Sequence, residues 1–253
     1  MSTGNNASRW IALDGAVNAR AVVPGVLLRS DNLQALSERD VRVLLEEQGL
    51  EVVLDLRTDV EVALEGPGPM TSEPTVRIEH RSLYPDTGAD DGLDPGTVIP
   101  WAPPDRHESP RESPVVRTYM SYMARRPDSI VAAIRAIAAA ERAVLVHCAA
   151  GKDRTGVVVA LALDAAGVDR DTIIDDYLAT RERIDAIVAR LLSSSTYRTE
   201  LDGYDPHKLA PAAETIERML ELVDERFGSS VAWLSAHGLG NSELERLRRR
   251  LAP

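Results

Sequence analysis

A single cysteine, Cys148, stands among 253 residues. That excludes an internal disulfide, and with it a thiolate-rich zinc or iron–sulfur site built within one chain. His80, His107, His207 and His237 are scattered without ligand spacing, so no metal is expected, and no organic cofactor is implied. No apolar run approaches the roughly 20 residues that a membrane-crossing helix needs. The first residues, 1–10, are polar and lack the basic start and apolar stretch of a secretory leader. A cytoplasmic location is expected, with export by a leaderless route left open. Lysine is almost missing: of 29 basic residues only Lys152 and Lys208 are lysines. Positive charge is also outweighed, since 40 acidic residues give a net charge of −11. Such a chain has no broad positive surface for a nucleic-acid backbone, so no nucleic-acid partner is expected. Any anion it binds must be held by a local cluster.

What remains is an ordinary globular mixture, 44% hydrophobic and 27% charged. Short apolar runs over Val26–Arg29, Glu51–Leu56 and Ala143–Val146 read as strands, and Val76–Leu83 alternates like a less buried one. Ser37, three residues before Asp40, opens a helix as a capping box. Residues 86–114 are dense in Pro, Gly and Asp and read as a long irregular loop. Ser113-Pro114 is an N-cap followed by proline in the first helical turn. Helices are expected over Asp128–Ala140, Thr155–Ala166 (stopped by Gly167), Ile173 to about Leu192, Pro211–Phe227, Val231–Ala236 and Ser242–Leu251. Early alternation followed by helices gives an α/β fold with a helical C-terminal addition.

The chemistry lies in His147-Cys148-Ala149-Ala150-Gly151-Lys152-Asp153-Arg154-Thr155-Gly156, between a strand and a helix. A helix N-terminus presents unpaired N–H groups backed by partial positive charge, which makes a cradle for an anion. Small residues at 149–151 let backbone amides turn inward around it. Arg154 supplies a two-pronged contact to phosphoryl oxygens. The same field favours the thiolate of a cysteine held there, and a thiolate is a nucleophile. Alone, Cys148 would read as a small buried hydrophobe and Arg154 as a solvated charge. Together, at this spacing, they read as nucleophile and clamp. Gly151-Lys152 is not a nucleotide P-loop, because the earlier glycine is missing and Asp153 stands where Ser or Thr is needed.

This segment resembles the signature loop of cysteine-dependent protein-tyrosine and dual-specificity phosphatases. The form Ala-Gly-Lys-Asp-Arg-Thr-Gly is similar to a bacterial branch of that family. Leu28-Arg29-Ser30, Asp55-Leu56-Arg57 with Glu61-Val62-Ala63, Gly66-Pro67-Gly68, Asp176-Tyr177-Leu178 and Phe227-Gly228-Ser229 through His237-Gly238-Leu239 extend the resemblance over most of the chain. Trp10 to Gly15 departs from the branch's usual start. The resemblance implies one phosphatase domain, 1–253, with a mostly parallel central sheet flanked by helices. It implies hydrolysis of phosphomonoesters through a cysteinyl-phosphate. The substrate would be a phosphotyrosine protein, with phosphoserine, phosphothreonine and phosphoinositides also admitted. The amides of Ala149, Ala150, Gly151, Lys152, Asp153 and Arg154 would bind phosphate, with Lys152 as an extra contact. His147 would support the loop. Thr155 reads as a helix cap, and the resemblance adds a hydroxyl contact to the sulfur.

Two aspartates compete as the acid that protonates the leaving oxygen. Asp86 follows Tyr84-Pro85, an arrangement similar to the Trp-Pro-Asp acid of tyrosine phosphatases, and is slightly favoured; Asp153 lies inside the loop. Residues 181–222 carry apolar residues at helical spacing around Ser193-Ser194-Ser195. They are either an ordinary helical layer or, as the resemblance favours, a hinged helical lid. Two other functions stay open: a phosphate-recognition module without turnover, and a rhodanese-like sulfurtransferase.

Overall fold

Five strands, β1 (Arg20–Val23), β2 (Leu27–Ser30), β3 (Leu50–Asp55), β4 (Arg77–His80) and β5 (Ala143–His147), form one sheet in the order β1-β2-β5-β3-β4. The computed structural model describes residues 9–85, 112–201 and 209–252. The three inner pairings are parallel, and only β1 runs antiparallel, at the edge beside β2. β5 lies at the centre and is buried along its whole length. Its side chains alternate: Val144 and Val146 enter the main core, while Ala143 and Leu145 enter a smaller core on the opposite face. That period of two is what a strand covered on both sides requires.

The helices are α1 (Glu38–Arg42), α2 (Asp59–Glu65), α3 (Pro114–Arg125), α4 (Pro127–Ala139), α5 (Asp153–Ala166), α6 (Arg170–Ala179), α7 (Ile184–Ser193), α8 (Ser195–Leu201), α9 (Ala213–Phe227), α10 (Ser230–Ala236) and α11 (Asn241–Leu251). α1 starts at the expected Ser37–Asp40 capping box and runs on into a π-helical turn, 43–47. Ser113 accepts a hydrogen bond from the amide of Val116, so α3 begins as its Ser-Pro start predicts. Gly167 ends α5 in the left-handed conformation, φ 91°. The α/β expectation therefore holds, as a mostly parallel sheet flanked by helices. Among the described residues, no helix is long and apolar enough to cross a membrane.

Several expectations need correction. The strand expected over Val76–Leu83 is only four residues long. β1 and α2 were not expected; β1 is a short edge strand, and α2 rests on a capping box between Thr58 and Glu61. The single helix expected from Ile173 to Leu192 is divided by a 3-10 turn, 180–183. There Thr180 is buried and accepts a hydrogen bond from Arg20 at 3.1 Å, which ties the turn to the edge strand. Phe227 ends the apolar stripe of α9 but is 41% exposed. The expected loop 86–114 lies outside the described residues over 86–111, and Asp86 with it.

Candidate active site

The loop 148–152 joins the central strand β5 to the buried helix α5. Its carbonyls are all engaged. His147 Nδ1 lies 3.3 Å from the Cys148 oxygen, and the Asn32 amide donates to Ala149 at 3.0 Å. Asn18 Nδ2 donates to the carbonyls of Ala150 and Gly151 at 2.9 and 3.3 Å. Arg29 Nη2 donates to Gly151 at 2.7 Å, and the Gly156 amide to Lys152 at 2.8 Å. Carbonyls held in this way leave the amides at a helix start to an anion. Gly151 is required here: its φ is +66°, and a Cβ would stand 2.3 Å from the Ser30 carbonyl oxygen.

Behind the loop, Asp176 receives Arg20 Nε at 3.0 Å and Arg29 Nη1 at 2.5 Å. All three side chains are buried. Burial works against the Asp176 charge, but the two guanidiniums outweigh it and hold its carboxyl below the usual range. Burial, and then the like charge of Arg29, lower Arg20 to about 10. The triad is thus an expensive support for a loop that has to keep one shape. On the far side, Arg57 holds Asp55 through bonds of 2.6 to 3.1 Å. Asp55 Oδ1 lies 3.7 Å from His147 Nε2. His147 is buried, and burial pulls its pKa below the ordinary value against the opposing charge of Asp55. Its ring lies between the Cys148 carbonyl and Asp55.

The structure brings together Cys148, Ala149, Ala150, Lys152, Asp153 and Arg154 in the wall of one cavity of about 570 Å³, its open mouth included. Arg154 is paired end-on with Glu61 of α2, Nη1 at 2.5 Å and Nη2 at 2.9 Å. Burial lowers and the Glu61 carboxylate raises its pKa, with a net rise well above the ordinary value, so it stays charged. End-on pairing leaves the Nε–Nη2 edge for an oxyanion. Thr155 is not the cap expected of it. α5 already begins at Asp153, so Thr155 lies inside the first turn, where its buried hydroxyl has no hydrogen-bond partner. Asp153 accepts from the Tyr119 hydroxyl at 2.6 Å and lies 3.6 Å from Lys152 Nζ. Among the described residues, no group of three or more His, Cys, Asp or Glu side chains is arranged to hold a metal.

The cavity's other wall is apolar and comes from α7, α8 and Leu209. Ile184, Val188, Tyr197, Leu201 and Leu209 pack with Ala149 in a cluster separate from the main core. Polar contacts tie this wall to the frame. Lys152 donates to the Leu209 carbonyl at 2.6 Å, and Tyr197 to Glu61 at 3.0 Å. Arg190 Nε lies 3.1 Å from Asp31, and Ser194 donates to Glu65. Residues 213–222 of the stretch expected to cover the site belong instead to α9. They pack in the main core through Ile216, Met219 and Leu220.

Tyr119, Tyr197, Asn18 and the carrying role of Glu61 escaped the sequence. Glu61 and Asp176 belong to the motifs that carry the resemblance, but nothing in their spacing says what they hold.

A model described as the tyrosine phosphatase family matches residues 13–253. The triple specificity protein phosphatase PtpB of Mycobacterium tuberculosis (strain ATCC 25618 / H37Rv) is 32% identical over 267 aligned residues, covering 94% of this chain and 95% of that protein. The tyrosine-protein phosphatase of Nostoc commune is 24% identical, over 93% of this chain and 77% of its own. The Siw14 catalytic core, a solved structure, aligns at a TM-score of 0.38 with 13% identity, over 85% of this chain and 96% of that one. A likeness that distant adds nothing to the site.

Proposed function

Because this chain belongs to the tyrosine phosphatase family, we propose that Cys148 is the nucleophile that takes the phosphoryl group from phosphotyrosine. One observation carries the reading: Cys148, Asp153 and Arg154 line a single cavity at the N-terminus of α5. The thiolate attacks phosphorus as the bond to the leaving oxygen breaks. The amides of 149–154 and the free edge of Arg154 hold the equatorial oxygens, whose charge they oppose without reorganising. Asp153 gives the leaving phenol its proton, a reading supported by its place in the cavity wall. Water then attacks the cysteinyl-phosphate, returning its proton to Asp153 and releasing phosphate and the thiolate. In that second step the Thr155 hydroxyl serves the departing sulfur. The lack of any other partner supports this role.

Lys152 is the extra phosphate contact. It is tied to the Leu209 carbonyl, so a second phosphate on the substrate takes it over only when that contact opens. α7 and α8 act as the lid in this reading, covering the thiol and excluding water during transfer. Both the apolar cluster over Ala149 and the few polar ties support this. The substrate panel that tests the proposal compares phosphotyrosine peptides, phosphoserine peptides and phosphoinositide vesicles. Phosphotyrosine turnover is expected. Binding of phosphate with no turnover of any of them would leave only a recognition module, and thiosulfate turnover would replace the reading by sulfurtransfer.

A further inference from the structure

Asp153 is held from behind by two phenols in series. Tyr119, on α3, donates to Asp153 Oδ1 at 2.6 Å, and Tyr177, on α6, lies 2.7 Å from the Tyr119 oxygen. Both rings are fully enclosed, Tyr119 at 0% and Tyr177 at 2% exposure. The direction of the chain follows from counting protons. Tyr119 has one hydroxyl proton, and Asp153 claims it. Tyr177 must therefore give its own proton to Tyr119. Burial first, and then the Asp153 charge, push both phenols above their ordinary pKa, so both keep their protons. A buried pair of hydroxyls is a weak choice for packing alone, since phenylalanine fills the same space without a polar atom to satisfy. Here each hydroxyl has one use, and both uses end at Asp153. With Oδ1 fixed toward the interior, Oδ2 is left beside Lys152 Nζ, at 3.6 Å.

We propose that Tyr119 is the positioning residue of Asp153, and Tyr177 the support of Tyr119, so that the carboxyl presents Oδ2 to the leaving oxygen. This rests on reading Asp153 as the group that transfers the proton. In the first step the Oδ2–H bond breaks as the new O–H bond forms on the leaving phenol. In the second, the carboxylate takes a proton from the attacking water. Oδ1 stays on the Tyr119 hydroxyl throughout, and Tyr119 itself neither gains nor loses a proton.

The test compares leaving groups. A phenol needs its proton more than p-nitrophenol does, so a fault in proton delivery slows phenyl phosphate more than p-nitrophenyl phosphate. A fault in general packing slows both alike. Tyr119→Phe is expected to lower kcat for phenyl phosphate about tenfold relative to its effect on p-nitrophenyl phosphate, with vanadate affinity unchanged. Tyr177→Phe leaves Tyr119 bonded to Asp153 and is expected to move the same ratio by about threefold. In an Asp153→Asn background, Tyr119→Phe is expected to change the ratio no further, because the two residues act as one unit. An unchanged ratio in whichever tyrosine variant folds overturns the proposal. Failure of the underlying reading looks different: Asp153→Asn alone would then slow both substrates equally.

Discussion

Tyr197, on the helix that walls the cavity, donates its hydroxyl to Glu61 at 3.0 Å, and Glu61 is the carboxylate that grips both Nη atoms of Arg154. The apolar wall of the cavity and its buried cation thus share one buried carboxylate. Removing that charge strands Arg154 in the interior. Glu61→Gln is expected to destabilise the protein by about 3–5 kcal/mol, as broken buried pairs do. Urea unfolding measures this, and a loss below about 1 kcal/mol would contradict the pair's standing as a buried support.

The cover itself is expected to open more readily than the helix it covers. α7 and α8 rest on a small separate cluster, whereas α5 is buried in the main core. Hydrogen exchange is expected to be faster in 184–201 than in 153–166, and to slow in 184–201 when vanadate binds. Equal exchange in both segments, unmoved by vanadate, would make α7 and α8 an ordinary packed layer.

Arg154→Lys keeps the charge and loses the fork. One Nζ cannot hold Glu61 end-on and an oxyanion side-on together. A drop in kcat of about a hundredfold to a thousandfold is expected, comparable to losing an oxyanion donor. A Lys variant within about tenfold of wild type would rule out bidentate clamping.

The support behind the loop sets an acid limit. Asp176 has its pKa lowered in the folded state, by Arg20 and Arg29 against the penalty of burial. A carboxylate depressed in this way contributes stability above its unfolded pKa of about 3.9, and loses it as pH falls through the native value. Unfolding free energy is expected to fall in that acid window. Asp176→Asn should abolish this share of the slope and cost about 3–5 kcal/mol at neutral pH, since two buried guanidiniums lose their counter-charge. An unchanged slope in the variant would place the acid sensitivity elsewhere.

The part of the site that is local in sequence was legible. A buried apolar run, a cysteine and small residues ahead of a helix start, an arginine in its first turn, and Gly167 as a stop define β5, the loop and α5 without outside help. The chain's remaining contributions come from far away. Asn18 reaches Ala150 across 132 positions, and Tyr197 reaches Glu61 across 136. A tyrosine on an apolar helix face looks the same whether its hydroxyl is idle or holds a carboxylate, so Tyr119 gave no signal. The break at 180–183 contains neither glycine nor proline, and the contact made there, from Arg20 to Thr180, comes from far along the chain. Thr155 has the residue type of a cap but lies inside the helix, which begins two residues earlier, at Asp153. Of the two aspartates weighed as acid, Asp153 is in the cavity wall and Asp86 lies outside the described residues.

The most direct test of the account is the covalent intermediate. The enzyme is quenched in acid during turnover of p-nitrophenyl phosphate and its peptides are mapped by mass. One phosphate on the Cys148 sulfur is expected, absent from Cys148→Ser, which should still bind vanadate but turn nothing over. A phosphate mapped to any other residue, or a Cys148→Ser protein with turnover near wild type, would contradict the assignment of the nucleophile.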